Sequence, residues 1–415
     1  MSEFSCLADK CPDSCCAGWR VLVEESHYHR FSGWLREEGK EPDDYMKRLG
    51  PNNTGSFASV RHNDRGGCMF LEPEGLCTIH GKHGEKALPQ VCQTYPRKYL
   101  VVGQRIEAAA MLSCPEIARL AILSEDLVLP TAYRPALTDK QRARIAVQAK
   151  TPEAQHFDLI RSFGLELLVG ARMTGPKLFI LGYFGHKLTE QAAGRPSMPL
   201  AEITRLIAQF QTTEYQDGLE EQFDIMYQDT AKPIGMSIMH AVIGNSLQIS
   251  PTRRVAFNAE RVWTSYGVAD KFIVGDGTKL LPIKLNFDYP ALWATYQERR
   301  ARIEASFVAE FDLYCRNLAI HSWLTQPFTD YPSLVHYLER SVLIECGLVK
   351  FFVTGQDAVL EGDLTLETLQ RAFVDATVNY HRLLGHSSRR EELLDAALPQ
   401  YETQGFVRLA PLLMI

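Results

Sequence analysis

The sequence predicts a mainly α-helical protein in which an irregular, cysteine-rich α+β amino-terminal domain packs on a larger all-helical carboxy-terminal domain. Eight of the ten cysteines lie before residue 115, among loops rich in glycine and proline. Beyond about residue 131, apolar residues recur every three or four positions for most of the chain, as on buried helical faces. A chain of 415 residues also exceeds the size at which one core usually keeps growing. We therefore predict a cysteine-rich domain over residues 1–130 and a helical domain over 131–415, with subbundles at 131–250 and 251–415 as the finer expectation.

Short elements joined by turns are predicted in the amino-terminal region. Trp19 to Glu24 and Thr54 to His62 have the composition of short strands, and His27 to Glu38 has the pattern of a helix. The proline-punctuated stretch from Leu129 to Leu137 is the predicted linker between the two domains.

Cys114 is predicted to lie at the amino terminus of a helix. Ser113 or Cys114 takes the N-cap position, and Pro115 and Glu116 follow in the first turn, where both residue types are favoured. The partial positive charge of a helix amino terminus favours a thiolate over a thiol, which suits a metal ligand. The alternative is a capped helix with a passive cysteine.

The remainder of the chain is assigned mainly to helices. The segments with helical periodicity are Ala154–Leu168, Leu178–Gln191, Leu200–Phe210, Ile234–Ser246, Tyr289–Leu324, Ser333–Phe352 and Leu364–Leu384. A small hairpin formed by Phe272–Val274 and Leu281–Leu285 is the one predicted exception.

Charge and hydropathy exclude several function classes. The formal net charge of -6 gives no general attraction for polyanions, so nonspecific nucleic-acid binding is not expected. No apolar run reaches the length of a membrane span. The first 20 residues carry charges and cysteines where a secretory signal needs an uninterrupted apolar stretch. We therefore expect a cytoplasmic protein with reduced thiols, which disfavours disulfides.

The crowded cysteines predict a metal centre. The eight candidate ligands are Cys6, Cys11, Cys15, Cys16, Cys68, Cys77, Cys92 and Cys114. Soft thiolates select zinc or iron–sulfur clusters over hard cations. The chain lacks both the paired CxxC knuckles typical of structural zinc and the Cx3Cx2C loop of radical S-adenosylmethionine enzymes. We favour an iron–sulfur cluster, with zinc as the alternative. Cys315 and Cys346 lie on apolar helical faces and are expected to be free buried thiols.

Several motifs of this region occur in the order known from one protein family. They are Phe4-Ser5-Cys6, Cys11, Cys15-Cys16-Ala17-Gly18-Trp19-Arg20, Cys68-Met69-Phe70-Leu71, Leu76-Cys77-Thr78-Ile79-His80, Cys92-Gln93-Thr94-Tyr95-Pro96-Arg97 and Ser113-Cys114-Pro115-Glu116. Together they resemble the amino-terminal signature of the flagellin lysine N-methylases (FliB family). A looser resemblance to the YkgJ-type cysteine-cluster proteins covers the cysteines and the Tyr-Pro-Arg step. The specific match extends over about residues 4–123.

The resemblance implies a cytoplasmic enzyme that methylates surface lysines of flagellin, with S-adenosylmethionine as donor and a 4Fe-4S cluster. The sequence contains no glycine-rich nucleotide-binding turn, so we expect an unusual donor pocket near the cluster. Two other functions stay open: an iron–sulfur electron-transfer protein, and a zinc-stabilised protein-interaction module without methylase activity. The oligomeric state is left open.

Methyl transfer to lysine needs a neutral amine, whereas a free lysine, with a pKa of about 10.4, is protonated at pH 7. Tyr95 and Glu116 lie in the motifs and are candidate proton acceptors. Arg97 is a candidate for holding a carboxylate of the donor. Each residue also has a structural alternative: a packed aromatic ring for Tyr95, a helix-start carboxylate for Glu116 and an ion pair for Arg97.

Overall fold

The architecture, taken from a computed structural model, is mainly helical, with an irregular α+β region at the amino terminus and a larger helical region after it. The structure describes residues 4–16, 20–50, 56–64, 66–102, 105–127, 129–132, 146, 151–170, 173–228, 232–249, 253–267, 288–360, 364–385, 387, 389–398, 409–413 and 415. The predicted fold class is confirmed. The hairpin predicted at Phe272–Val274 and Leu281–Leu285, and most of the predicted linker, lie outside the described residues.

Within the described residues, the amino-terminal region combines short helices with six short strands. Its helices are α1 (Glu25–Glu37), α2 (Pro42–Tyr45), α3 (Thr78–His83), α4 (Gln90–Thr94) and α5 (Pro115–Ile122). Its strands are β1 (Leu22–Val23), β2 (Met46–Arg48), β3 (Ala58–Val60), β4 (Arg97–Val102), β5 (Arg105–Ala110) and β6 (Thr131–Ala132).

The helical region follows the predicted segments closely. Its helices are α6 (Phe157–Val169), α7 (Thr174–Ala192), α8 (Leu200–Phe210), α9 (Thr213–Gln228), α10 (Lys232–Ile249), α11 (Arg253–Ser265), α12 (Tyr289–Thr325), α13 (Leu334–Tyr337), α14 (Ile344–Thr354), α15 (Asp357–Leu360), α16 (Leu366–Tyr380), α17 (Arg390–Ala397) and α18 (Ala410–Leu413). Two π-helical segments, Leu338–Leu343 and His381–Gly385, continue α13 and α16. None of the described helices combines the length and hydropathy needed to cross a bilayer.

The strands form two antiparallel sheets of three strands each, in the orders β1-β3-β2 and β4-β5-β6. In the first sheet, Val23 lies opposite Ala58 and Met46 lies opposite Val60. The two strands predicted here are present but shorter than predicted. The second sheet, in which Arg97 pairs with Ala110, was not predicted. Because β5 ends in three alanines, which have low strand propensity, the pairing depends on burial against the helices.

Two separate clusters of buried side chains form the cores. The first runs from Val21 to Ala87, with Cys92 packed against it. The second runs from Leu100 to Ile415 and includes β4, β5 and α5. Helix α5 packs against α12 and α16, and Asn317 of α12 donates hydrogen bonds from Nδ2 to the carbonyl oxygens of Ile122 (2.9 Å) and Ser124 (2.7 Å). The cysteine-bearing segments are therefore divided between two cores. The domain boundaries at residues 130 and 250 stay predictions.

A close approach between α6 and α12 leads to a first prediction. A Cβ atom on Gly164 would lie 2.3 Å from Cζ2 of Trp323, and that ring is held by a 2.9 Å hydrogen bond from Nε1 to the carbonyl oxygen of Arg161. The ring cannot move without losing this bond. We expect Gly164→Ala to lower the free energy of unfolding by about 2–3 kcal/mol, measured by thermal or chemical denaturation.

The matched control is Gly33→Ala in α1, where no atom lies within 4 Å of the position that a Cβ atom would occupy. Alanine is favoured over glycine in a helix interior by up to about 1 kcal/mol, so this variant should be at least as stable as the parent. Equal stability of the two variants would contradict the close helix approach.

Candidate metal centre

The eight amino-terminal cysteines are free thiols that come from four distant segments and form one connected group. Cys15 stands at its centre. Its thiol hydrogen-bonds with that of Cys16 and interacts electrostatically with those of Cys11, Cys77, Cys92 and Cys114. Cys6 is connected through Cys11, and Cys68 is connected through Cys77 and Cys92. Cys315 and Cys346 interact with each other inside the helical core.

Short local hydrogen bonds place the first cysteines. The Cys11 thiol donates to the carbonyl oxygen of Asp13 at 3.0 Å, and the backbone N–H of Cys16 donates to Oγ of Ser14 at 3.2 Å. The backbone N–H of Cys68 then donates to the carbonyl oxygen of Cys16 at 2.8 Å, which joins the first loop to the second.

The other cysteines lie at the starts of helices or inside one. Cys77 is the N-cap of α3, which was not predicted. Cys114 is the N-cap of α5, and it is one of the two residues, Ser113 and Cys114, predicted for that position. Backbone N–H groups of the first turn of α5 act to lower the pKa of Cys114, but burial has the larger effect and raises it to about 11. Cys92 lies within α4.

Burial favours the thiol form of several of these cysteines. It raises the pKa of Cys68 to about 11 and that of Cys92 to about 12. The pKa of Cys15 rises well above its ordinary value, chiefly through the hydrogen bond with Cys16 and then through burial. A metal cation bound among these sulfurs would instead favour their thiolate form, because a metal ion deprotonates a coordinating thiol.

The chemistry of the donors fits zinc or an iron–sulfur cluster, since thiols from four segments of the chain lie within electrostatic reach of one another. Their positions are not those of a closed coordination site: within the described ranges, no three Cys, His, Asp or Glu side chains are placed to hold a metal ion. Binding would require the sulfurs to move toward one another. The eight-cysteine ligand set therefore stays a prediction.

The helical region reaches this centre through Arg382, which lies in the second π-helical segment. Its guanidinium pairs with the carboxylate of Asp13, and the two side chains are only 11% and 15% exposed. It also donates to the carbonyl oxygens of Ser113 (3.3 Å) and Ser14 (3.5 Å). One arginine thus connects the first cysteine loop, the segment preceding Cys114 and the carboxy-terminal helices. Sequence reasoning missed it, because nothing in the local sequence distinguishes it.

The three candidate catalytic residues have different surroundings. The phenol oxygen of Tyr95 lies 3.0 Å from Oγ of Ser113, and burial raises its pKa, so the phenol is protonated at neutral pH. Glu116 accepts two hydrogen bonds from Arg119, at 2.7 and 2.8 Å. Arg97 begins β4, opposite Ala110. Tyr95 therefore lies with the cysteines, whereas Glu116 is engaged by an arginine of its own helix. Their catalytic roles stay predictions.

A buried ionisable network behind β4 and β5 was also missed. Oε1 of Glu345, which is fully buried, lies 2.9 Å from Nε2 of His381, and its other oxygen accepts from Ser322. Nε2 of His321 donates to the carbonyl oxygen of Ala110 at 2.9 Å, and burial lowers the pKa of His321 to about 4. Burial also lowers the pKa of Lys98. The predicted helices showed apolar periodicity, which does not reveal polar residues that face inward.

Two cavities lie beside the cysteine group. One, of about 380 Å³, runs along α5 and is lined by Phe4, Ile117 and His321 among others. The other, of about 460 Å³, lies between the first cysteine loop and the helical region; Pro12 and Asp13 line one side, and residues of α11, α14 and α16 line the other.

Comparison with known proteins identifies relatives of the cysteine-rich part. Residues 5–115 match the CxxCxxCC family, described as "Putative zinc- or iron-chelating domain". Proteins named lysine-N-methylase from Salmonella typhimurium and Salmonella choleraesuis are each 25% identical over 118 residues, which is 28% of this chain and 29% of theirs. The flagellar biosynthetic protein FliU of Salmonella muenchen is 23% identical over 122 residues, which is 28% of this chain and 70% of that protein.

The match therefore spans less than a third of the lysine-N-methylases. No solved structure matches this chain. The resemblance based on the cysteine motifs is confirmed for about the first quarter of the chain: this part is similar in sequence to the lysine-N-methylases and FliU and carries the cysteine pattern of a zinc- or iron-chelating domain family.

Proposed function

We propose that this protein is a cytoplasmic protein-lysine N-methyltransferase that transfers a methyl group from S-adenosylmethionine to surface lysines of flagellin. We further propose that its amino-terminal cysteines hold a 4Fe-4S cluster. The observation that carries the proposal is the set of electrostatic contacts that joins free thiols from four segments to Cys15, within the region that is similar to the lysine-N-methylases. The FliU name supports a flagellar substrate.

The reaction breaks the sulfonium–methyl bond and forms a bond from carbon to the lysine nitrogen. A proton must leave that nitrogen before or during the transfer, because only the neutral amine is nucleophilic. Tyr95 holds its own proton at neutral pH, which makes it a hydrogen-bond donor to the reacting groups. Glu116 is then the better proton acceptor of the two, with Arg119 holding its carboxylate in place.

The cysteines that would hold the cluster are those centred on Cys15. When bound by three thiolates, a 4Fe-4S cluster supplies one iron with an open coordination position, whereas four thiolates close it. The protein's own contribution is to orient the cysteine loops and to exclude water, and Arg382 and the N-cap positions of α3 and α5 serve the first task.

Anaerobic incubation with methyl-labelled S-adenosylmethionine and flagellin tests the proposal. We expect label on flagellin lysines, in protein that contains iron and inorganic sulfide and shows the visible absorption of an iron–sulfur cluster. Flagellin whose lysine amines have been chemically blocked is the control and should stay unlabelled.

Three results would decide against the proposal in different ways. Label that stays wholly in the donor, with the cluster intact and a reductant present, would favour electron transfer. Colourless protein with stoichiometric zinc and no methyl transfer would favour an interaction module. Colourless protein that contains zinc and still labels flagellin would contradict the 4Fe-4S cluster and support the methylase activity.

A further inference from the structure

The 460 Å³ cavity between the first cysteine loop and the helical region, here named the loop–helix cavity, has the volume of a small-molecule site and a lining of both apolar and polar side chains. Small-molecule sites usually have volumes of about 300–1,000 Å³ and combine apolar walls with a few polar groups. Buried side chains of Val262, Phe352 and Val378 form its apolar floor. Pro12 and Pro115 add apolar surface from the cysteine-bearing segments.

A pair of amides lies in the wall of this cavity. Nδ2 of Asn258 donates to Oδ1 of Asn379 at 2.9 Å. This leaves the Asn258 oxygen and the Asn379 nitrogen without hydrogen-bond partners among the residues that the structure describes. The pair thus offers one acceptor and one donor side by side. The edge of adenine presents the complementary pattern, an amino donor beside a ring-nitrogen acceptor. In protein–DNA complexes, asparagine side chains hydrogen-bond to this edge.

The exposed rim of the cavity is charged but balanced. Arg261 is paired with Asp357, and Arg371 and Asp375 both lie on α16. Within the described part of the chain, the guanidinium of Arg371 makes one long contact of 3.4 Å, with the exposed Glu367, so it is available to a ligand carboxylate. Because the rim has no excess of positive charge, it suits a zwitterionic tail better than a polyphosphate.

The cavity also borders two of the cysteine-bearing segments. Asp13, in its wall, is two residues from both Cys11 and Cys15, and Pro115 directly follows Cys114. A ligand in this cavity therefore lies close to the cysteine-bearing segments.

We propose that the loop–helix cavity binds the adenosine-based methyl donor, with the Asn258–Asn379 pair on the adenine edge and Arg371 on the carboxylate of the amino-acid tail. The inference rests on the proposed methylase function and adds the location of the donor. Every residue assigned here to the helical wall lies outside the stretch that matches the cysteine-domain family.

Calorimetric titration of the anaerobic, cluster-containing protein with S-adenosylhomocysteine and, separately, with adenosine tests the assignment without requiring turnover. Asn379→Leu should weaken binding of both ligands by about tenfold or more, since both carry adenine. Arg371→Gln should weaken binding of S-adenosylhomocysteine by about tenfold but leave adenosine binding unchanged, because adenosine has no carboxylate. Arg205→Gln, at an exposed arginine of α8, is the matched control and should bind both ligands like the parent.

Parent-like affinity of the Asn379 and Arg371 variants for S-adenosylhomocysteine would overturn the cavity assignment while leaving the methylase proposal intact. If the parent protein binds neither ligand with its cluster present, both proposals fail. Should Asn379→Leu lose the cluster or the fold, Arg371→Gln decides the question, because the Arg371 side chain is exposed and, among the residues that the structure describes, contacts Glu367 at 3.4 Å alone.

Discussion

Cys15→Ala is expected to abolish both metal content and methyl transfer. The Cys15 thiol interacts with the thiols of Cys11, Cys16, Cys77, Cys92 and Cys114, and it connects the first loop with α3, α4 and α5. Its removal should therefore break the group at its centre. We expect iron and sulfide near background and a loss of activity greater than about 100-fold, since even residues outside the ligand shell often cost 10–100-fold. Metal analysis, visible absorption and the labelled-donor assay measure these effects.

Cys315→Ala is the matched control. Cys315 is buried in the helical core, where burial raises its pKa to about 12. Its replacement leaves a small cavity that should cost about 1–2 kcal/mol of unfolding free energy, with metal content and activity retained. Cys15→Ala protein with full iron and activity would show that the convergence of sulfurs is not the metal centre.

Arg382→Ala is expected to weaken metal retention by the cysteine group, because it removes the contacts that the helical region makes with the cysteine loops. The substitution removes the guanidinium that pairs with the mostly buried carboxylate of Asp13, and with it the donors to the carbonyl oxygens of Ser14 and Ser113. Breaking a buried ion pair by removing one partner costs about 3 kcal/mol or more. We expect lower thermal stability and faster release of iron to a chelator, with Arg382→Lys in between because lysine cannot reproduce the forked contacts.

Two further variants make this prediction specific. Arg389→Ala removes an arginine seven residues away, whose pair with Glu392 lies on the surface; surface pairs contribute little, so iron release should not change. Combining Arg382→Ala with Asp13→Asn should recover part of the lost stability, because the uncompensated charge is removed. Unchanged iron release in Arg382→Ala would indicate that the helical region only covers the cysteine loops.

Helix α5 shows what could be predicted from the sequence, and Arg382 shows what could not. The start of α5 at Pro115, with Cys114 as N-cap, is encoded by neighbouring residues and was predicted correctly. Helices α6 to α8 and α12 likewise begin and end close to the predicted segments. The pairing of β4 with β5 was missed, because alanines favour a strand there only through burial against the helices. The contact between Arg382 and Asp13 joins residues 369 positions apart, and no local pattern encodes it.

The sequence by itself determined the chemical character of this protein: soft sulfur donors crowded before residue 115, a helical remainder, and the motifs shared with the lysine-N-methylases. Only the tertiary structure decided which thiols interact with Cys15, which arginine connects the cysteine loops with the helices, and where a cavity lies between them. The physical reason is that propensity, capping and periodicity act between near neighbours along the chain. Which buried faces meet is decided by the packing of the whole chain.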